Sequence, residues 1–364
     1  MRIALTHPHS WPEVRRGAER MIVEKARSLS AAGHDVTVFT AGSDAVDERR
    51  EGYRLVRFRR RRADAAAHQR WFGRRVLLPL ARGDFDAVHS LMPGDAVSAI
   101  RAARLRRLVG RRPHRTVYED LGNPYRDKVE ASPDARTRLR VVADVDVYAC
   151  MSEFSRRMLE RDFGRAGTVV PGGVRTADFV PQERHEQPTI LFSGALDRPE
   201  KHVALLLEAV ALLAQTRPDV RLHLSGPGDV GPLLDAAPAR ARGHVAVLPL
   251  GDPDGQAERY ARSWVTCLPT QWDSFGLVIV ESLAAGTPVV VGDAGAPSEL
   301  VTPATGRRTE PFTAEELARS LDQALDMAKD PDTVAACRAL AERYDWDATI
   351  TPLLVDLYAR TDRL

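Results

Sequence analysis

Residues Trp264 to Leu300 read WVTCLPTQWDSFGLVIVESLAAGTPVVVGDAGAPSEL. Val265-Thr266-Cys267-Leu268 is a short apolar run closed by Pro269, the pattern of a strand buried on both faces. Ser274 stands where an N-cap is needed, which predicts a helix from about Phe275 to Ala285. Gly286 suits the left-handed position after a helix, and Pro288 stops its continuation. Val289-Val290-Val291 is a second buried strand. Strand, loop, helix and strand make one βαβ crossover, so the sheet is parallel and the chain is α/β.

The start of that helix is where chemistry is expected. The first amides of a helix lack backbone partners, and the macrodipole places partial positive charge there. Ser274, Phe275, Gly276 and Leu277 therefore form a phosphate seat, with the glycine permitting close approach. Asp273 precedes the seat, and Glu281 lies about 9 Å further along by helical rise. A diphosphate on the amides with a carboxylate toward each end has the length of a nucleotide-sugar.

A chain of 364 residues exceeds the size at which one core keeps growing, so two domains are expected. A net charge of +2 argues against a dedicated nucleic-acid binder. Cys150, Cys267 and Cys337 are odd in number, far apart and set in apolar segments, so they imply neither a disulfide framework nor a metal site. With no signal-peptide pattern at the start and no apolar run of transmembrane length, the expected location is the cytoplasm. The basic stretch 57–82, with Trp71, Phe72, Leu77 and Leu78 among its arginines, has two readings: a weak peripheral contact with the inner membrane face, or a helix whose apolar stripe is core and whose arginines are solvated. The second is favoured. D-x-D occurs at Asp84, Asp144, Asp252 and Asp345, and a pattern that frequent assigns no metal.

Asp273 to Glu281 resembles the E-x7-E motif of retaining glycosyltransferases of the GT-B fold, family 4, with Asp in place of the first Glu. The continuation Gly286-Thr-Pro-Val-Val, then Gly295 and Glu299-Leu-Val301, resembles that family as well. The likeness extends along the chain. Arg16-Gly17 stands where the family has a glycine pair facing donor and acceptor. Asp86-Ala-Val-His89 resembles a D-x-V-H strand. Glu119-Asp120 ends a strand where the family often has His-Asp beside the transferred sugar, and Leu121 to Tyr125, with Asn123, forms a loop there. The run Val141 to Cys150 is expected as a strand followed by a helix from Ser152. Gly226 lies in a glycine turn after the strand at 220. Gly194 to Lys201 resembles G-R-x-x-x-x-K, with Lys201 in place, Ala195 for the arginine and Arg198 as a substitute cation.

The resemblance implies two Rossmann-like domains facing across a cleft: 1–182 on the acceptor side, 187–345 for the nucleotide-sugar, and 346–364 returning to the first. The linker is expected at 179–188. It implies transfer of a sugar with retention, from a UDP-sugar first and a GDP- or dTDP-sugar otherwise, to a hydroxyl acceptor of unknown type, without metal or other cofactor. Lys201, Arg198 and the amides of Gly276 and Leu277 would meet the diphosphate. Asp273 would hold sugar hydroxyls, Glu281 the ribose, and either Glu119 or Asp120 would face the sugar. Gly17 is placed on the donor side, and Arg16, His9 and Asn123 on the acceptor side. The alternatives are a membrane-associated enzyme with a lipid acceptor, a nucleotide-sugar epimerase, or a catalytically silent nucleotide-sugar binder.

Overall fold

A computed structural model describes residues 1–14, 16–60, 64–249 and 253–359 of the chain. The expectations that touch Arg61, Arg62, Leu250 to Asp252 and the residues beyond Ala359 lie outside it. The chain divides into two compact units, 1–172 with 346–364, and 173–345.

The first unit holds strands β1 (Arg2–Thr6), β2 (Asp35–Gly42), β3 (Val46–Arg50), β4 (Tyr53–Arg59), β5 (Ala87–Ser90), β6 (Arg115–Asp120), β7 (Val147–Cys150) and β8 (Thr168–Val169), in the order β3-β4-β2-β1-β5-β6-β7-β8. All pairs are parallel except β3 with β4. The central strands are apolar because helices cover both faces, and Ile3, Ala4, Leu5, Ala87 and Val88 are wholly buried. β3 carries Asp47, Glu48, Arg49 and Arg50 outward, the charged finish that keeps a sheet edge from pairing.

The second unit holds β9 (Thr189–Ser193), β10 (Arg221–Ser225), β11 (Val245–Leu248), β12 (Val265–Leu268), β13 (Val289–Gly292) and β14 (Gly306–Thr309), ordered β11-β10-β9-β12-β13-β14 and all parallel. The α/β class and the two parallel-sheet domains expected of GT-B are both present.

Two expectations need correction. The stretch 179–188 is not a free linker. Phe179 is buried, Arg184 donates to the carbonyls of Ser263 and Trp264, and Trp264 Nε1 donates to His185 O, so these residues are tied into the second unit. The chain passes between units near Gly172 instead. Val141 and Val142 belong to the helix Ala135–Asp144 rather than to a strand; they form its core-facing side, and only Val147–Cys150 pairs in the sheet. The basic stretch begins as the strand β4 and continues as the helix Ala65–Arg82. Phe72, Val76 and Leu80 of that helix are fully buried in a cluster with Phe39 and Val88, while Arg70, Arg74, Arg75, Leu78 and Arg82 are exposed. The apolar stripe is core.

The C-terminal segment belongs to the first unit. Trp346 lies with its ring 5.3 Å from Lys25 Nζ, Asp347 accepts from Ser28 Oγ at 2.6 Å, and Tyr358 is buried against His89 at the end of the helix Thr351–Ala359.

Candidate active site

Open parallel sheets bind ligands beyond the carboxyl ends of the strands, where the strand order reverses direction. In the second unit the chain builds β9, β10 and β11 to one side, then places β12 on the other side of β9. The reversal lies between Ser193 and Leu268, and the loops leaving those two ends carry Lys201 and Asp273. Lys201 Nζ donates to Asp273 Oδ2 at 2.6 Å, with the two side chains 21% and 24% exposed. Thr270 Oγ1 donates to Glu200 O at 2.8 Å, tying the two loops together.

Beside the pair, the crossover helix is Leu277–Ala284, shorter at its start than expected. Its cap is Gly276 at φ 101°, and Ser274 is buried within the entering loop instead of capping. That left-handed φ is the demand glycine answers, since the atom nearest a Cβ there, Ile279 Cδ1 at 2.8 Å, is the movable end of a side chain. Phe275 is buried and meets Tyr344 edge-on at 5.6 Å. Gly286 has the expected left-handed backbone, φ 76°. Gly226, at φ 149°, lets β10 turn against β9: a Cβ there would sit 1.8 Å from Gly194 O.

Glu281 is buried, and its Oε2 accepts from Tyr260 Oη at 2.9 Å. A polar chain sequence reasoning missed continues from there along the strand ends. Gln256 Nε2 donates to Ser193 Oγ at 2.9 Å, and Arg259 donates to Ser225 Oγ at 2.8 Å and to Pro249 O at 2.7 Å. Gln256 and Arg259 are three apart on the helix Pro253–Arg262 and so share a face, which was the available signal. Arg198 stands apart from this group: its side chain is 66% exposed and its ion-pair partner is Glu200, at 3.9 Å.

In the first unit, the strand order reverses between β1 and β5. Thr6 Oγ1 lies 2.9 Å from Ser90 Oγ and 2.5 Å from Asp95 Oδ2 there. Burial pushes the Asp95 carboxyl up to about 8. Gly17 opens the helix Gly17–Ala31, and the exposed Arg16 before it pairs with buried Glu19 at 2.6 Å. His9 lies with its ring 5.0 Å from that of His68, and desolvation, helped by His7 and His68, holds it down at about 4. Asn123 Oδ1 accepts from Ser155 Oγ at 2.7 Å. Asp120 accepts from Tyr148 Oη at 2.6 Å and from Gly122 N at 3.0 Å, which fixes the loop that follows.

Glu119 is not an open strand-end acid. It is 0% exposed, 2.8 Å from Lys25 Nζ and 2.7 Å from His89 Nε2. Burial alone would raise its carboxyl, but the Lys25 ammonium and the His89 ring outweigh it and hold Glu119 down at about 2. Burial keeps His89 neutral, so its Nε2–H faces Glu119 while Nδ1 accepts from Tyr358 Oη at 2.7 Å. Glu119 thus joins an interior ionic cluster, and Asp120 is left as the strand-end carboxylate nearer the loop. Lys25 was legible in one respect: it falls on the apolar stripe of Met21, Ile22, Ala26 and Leu29.

The three thiols are buried and raised by burial, Cys337 to about 12, which suits inert core residues. Among the described residues no group of three or more His, Cys, Asp or Glu is arranged to hold a metal ion. Three of the four D-x-D patterns serve structure. Asp84 pairs with Arg2 and Arg106, Asp146 accepts from Thr116, and Asp345 accepts from Thr176.

Residues 174–338 match the family of glycosyl transferases group 1, and residues 15–178 match glycosyltransferase family 4. A phosphatidyl-myo-inositol mannosyltransferase of Mycobacterium tuberculosis is 28% identical over 97% of this chain and 96% of its own length. Among solved structures, a sucrose-phosphate synthase from Thermosynechococcus elongatus superposes with a TM-score of 0.80 at 21% identity, covering 98% of each chain. Anabaena HepE, solved in complex with UDP-glucose, superposes at 0.75 with 18% identity over 99% of this chain and 100% of its own. The two matched segments together span residues 15–338, and the chain belongs to the glycosyltransferases of GT-B fold, family 4.

Proposed function

We propose that this glycosyltransferase is a retaining hexosyltransferase that needs no metal, taking its sugar from a nucleotide-sugar, UDP-linked first and GDP- or dTDP-linked otherwise. The observation that carries the reading is the Lys201–Asp273 pair at the strand-order reversal of the second sheet, beside the Gly276-capped helix start. As the glycosidic bond breaks, negative charge gathers on the leaving diphosphate. A fixed ammonium and helix amides aimed at that charge stabilise the transition state more than the ground state. Lys201 and the amides of Gly276 and Leu277 take that role. Asp273 is assigned to sugar hydroxyls and Glu281, steered by Tyr260, to the ribose. The acceptor hydroxyl is assigned to the first unit's strand ends, with Asn123, His9 and Arg16 around it; Asp120 is assigned to face the transferred sugar and Gly17 to the donor side.

The test is transfer from UDP-, GDP- and dTDP-sugars by purified protein in the presence of EDTA, with the anomeric configuration of the product read by NMR. Inversion, or activity restored only by a divalent ion, refutes the corresponding part. Absence of both transfer and donor hydrolysis refutes the enzyme reading and leaves a silent binder.

The exposed arginines on the helix Ala65–Arg82 favour a second reading, in which the acceptor is a lipid and this face meets an anionic surface. No described helix is long and apolar enough to cross a membrane, so contact would be peripheral. It predicts vesicle binding that weakens as salt rises.

A further inference from the structure

We infer that Trp272 is the surface on which the transferred sugar ring of the donor lies, an inference that rests on the nucleotide-sugar reading above. A pyranose has hydroxyls around its edge and C–H groups across its face. Recognition of both calls for hydrogen-bonding groups next to a flat apolar surface. The second unit offers that combination in consecutive residues: Asp273, paired with Lys201, follows directly on an indole that is 49% exposed. Among the described residues Trp272 is the one aromatic ring among the exposed large apolar side chains, and it adjoins the polar pair.

The loop that presents the indole is held firmly. Trp272 N donates to Thr270 Oγ1 at 3.3 Å, and the same hydroxyl donates to Glu200 O, in the loop that carries Lys201. From the other side Gly292 and Gly295 let their backbones press in: a Cβ would fall 3.2 Å from Thr270 O at the first and 2.7 Å from Gln271 O at the second. A platform already ordered by its backbone has little conformational freedom to lose when a ligand covers it. The side chain thus selects for the glycosyl part of the donor, while Lys201 and the helix amides hold its phosphates.

Titration calorimetry separates the two parts, using UDP-glucose against UDP and GDP-mannose against GDP, with the wild type, Trp272→Ala and Trp272→Phe. The expected result is that Trp272→Ala weakens binding of the nucleotide-sugar roughly tenfold. Its affinity for the nucleoside diphosphate should stay at the wild-type value, and Trp272→Phe should recover most of the loss. Equal weakening of sugar-bearing and sugar-free ligands would mean that the indole supports the loop or stacks on the base, and would overturn the inference. So would an unchanged preference for the nucleotide-sugar in Trp272→Ala. If the wild type binds none of the four ligands, the donor reading itself fails, an outcome distinct from the other two because it appears before any substitution is made.

Discussion

Lys201 and Asp273 stand 2.6 Å apart on loops from two different strands, and each has another task in the proposed reaction. Preorganised charge at a developing anion typically accounts for 10²–10³ in rate, so Lys201→Ala should lower kcat/KM by about that factor. Asp273→Ala should also lose activity heavily. Both changes should leave the melting temperature within a few degrees of wild type, because the pair is partly open to water and the sheet beneath it is untouched. Arg198→Ala should lose less than about tenfold, since its guanidinium extends into solvent and a flexible cation contributes less than a fixed one. A loss in Arg198→Ala equal to that in Lys201→Ala would show that the loop rearranges to bring Arg198 onto the phosphates. Asp95 gives a residue-level prediction about pH. Its carboxyl titrates at about 8 in the folded chain against an ordinary 3.8, so folding favours the protonated form. Asp95 therefore takes stability away from the wild type as pH rises from about 4 to about 8, a loss that the neutral Asp95→Asn does not share. In thermal melts the variant should match wild type near pH 4 and exceed it near pH 8. Parallel curves would mean that Asp95 is ionised in the fold.

At the scale of elements, the sequence was most legible where a single periodicity settled the matter. The apolar runs at 265–268 and 289–291 read as buried strands, and both are interior strands of the second sheet. Legibility fell where a property belongs to a partner far along the chain. Glu119 looked open because the end of a strand usually is. Its enclosure depends on Lys25 from a helix 94 residues earlier and on His89 from the neighbouring strand, and local pattern carries neither. The same holds for the start of the crossover helix. Ser274 suits an N-cap by type, but Gly276, with its left-handed backbone, takes the position because the loop must pass the buried Phe275 first. The Glu119 cluster can be tested directly. Glu119→Gln removes one charge and leaves Lys25 buried without its counter-ion, which should cost about 3–5 kcal/mol. A second change, Lys25→Met, should return part of that loss, since an uncharged pair has no desolvation to compensate. The pH dependence follows from the lowered Glu119 carboxyl. The stability it contributes is complete above about 4.5 and is lost as pH falls toward about 2, so the wild type should lose stability across that window more steeply than Glu119→Gln.

At the scale of the whole molecule, the first unit is assembled from two pieces of chain with the entire second unit inserted between them. The returning piece is a structural part of that unit. Trp346, Ile350, Leu354, Leu357 and Tyr358 are all buried, and Tyr358 hydrogen-bonds His89, whose other ring nitrogen lies 2.7 Å from Glu119 of the Lys25 ion pair. At about 2 kcal/mol for each large buried side chain, the segment contributes on the order of 10 kcal/mol. That is comparable with the entire stability of an ordinary domain, about 5–15 kcal/mol. Residues 1–172 expressed alone should therefore fail to give a cooperative thermal transition. The same residues joined by a short flexible linker to 346–359 should recover one, with Lys25 and His89 again shielded from solvent. The second unit, 173–345, keeps all six of its strands in one continuous stretch and should fold alone. If the donor reading holds, that fragment should still bind a nucleotide-sugar, because Lys201, Asp273, Glu281 and the Gly276 cap all lie within it. Calorimetry on the isolated fragment measures this without any contribution from the acceptor side. Binding by the intact chain but not by a folded 173–345 would make the first unit's donor-side residue, Gly17, indispensable to donor binding.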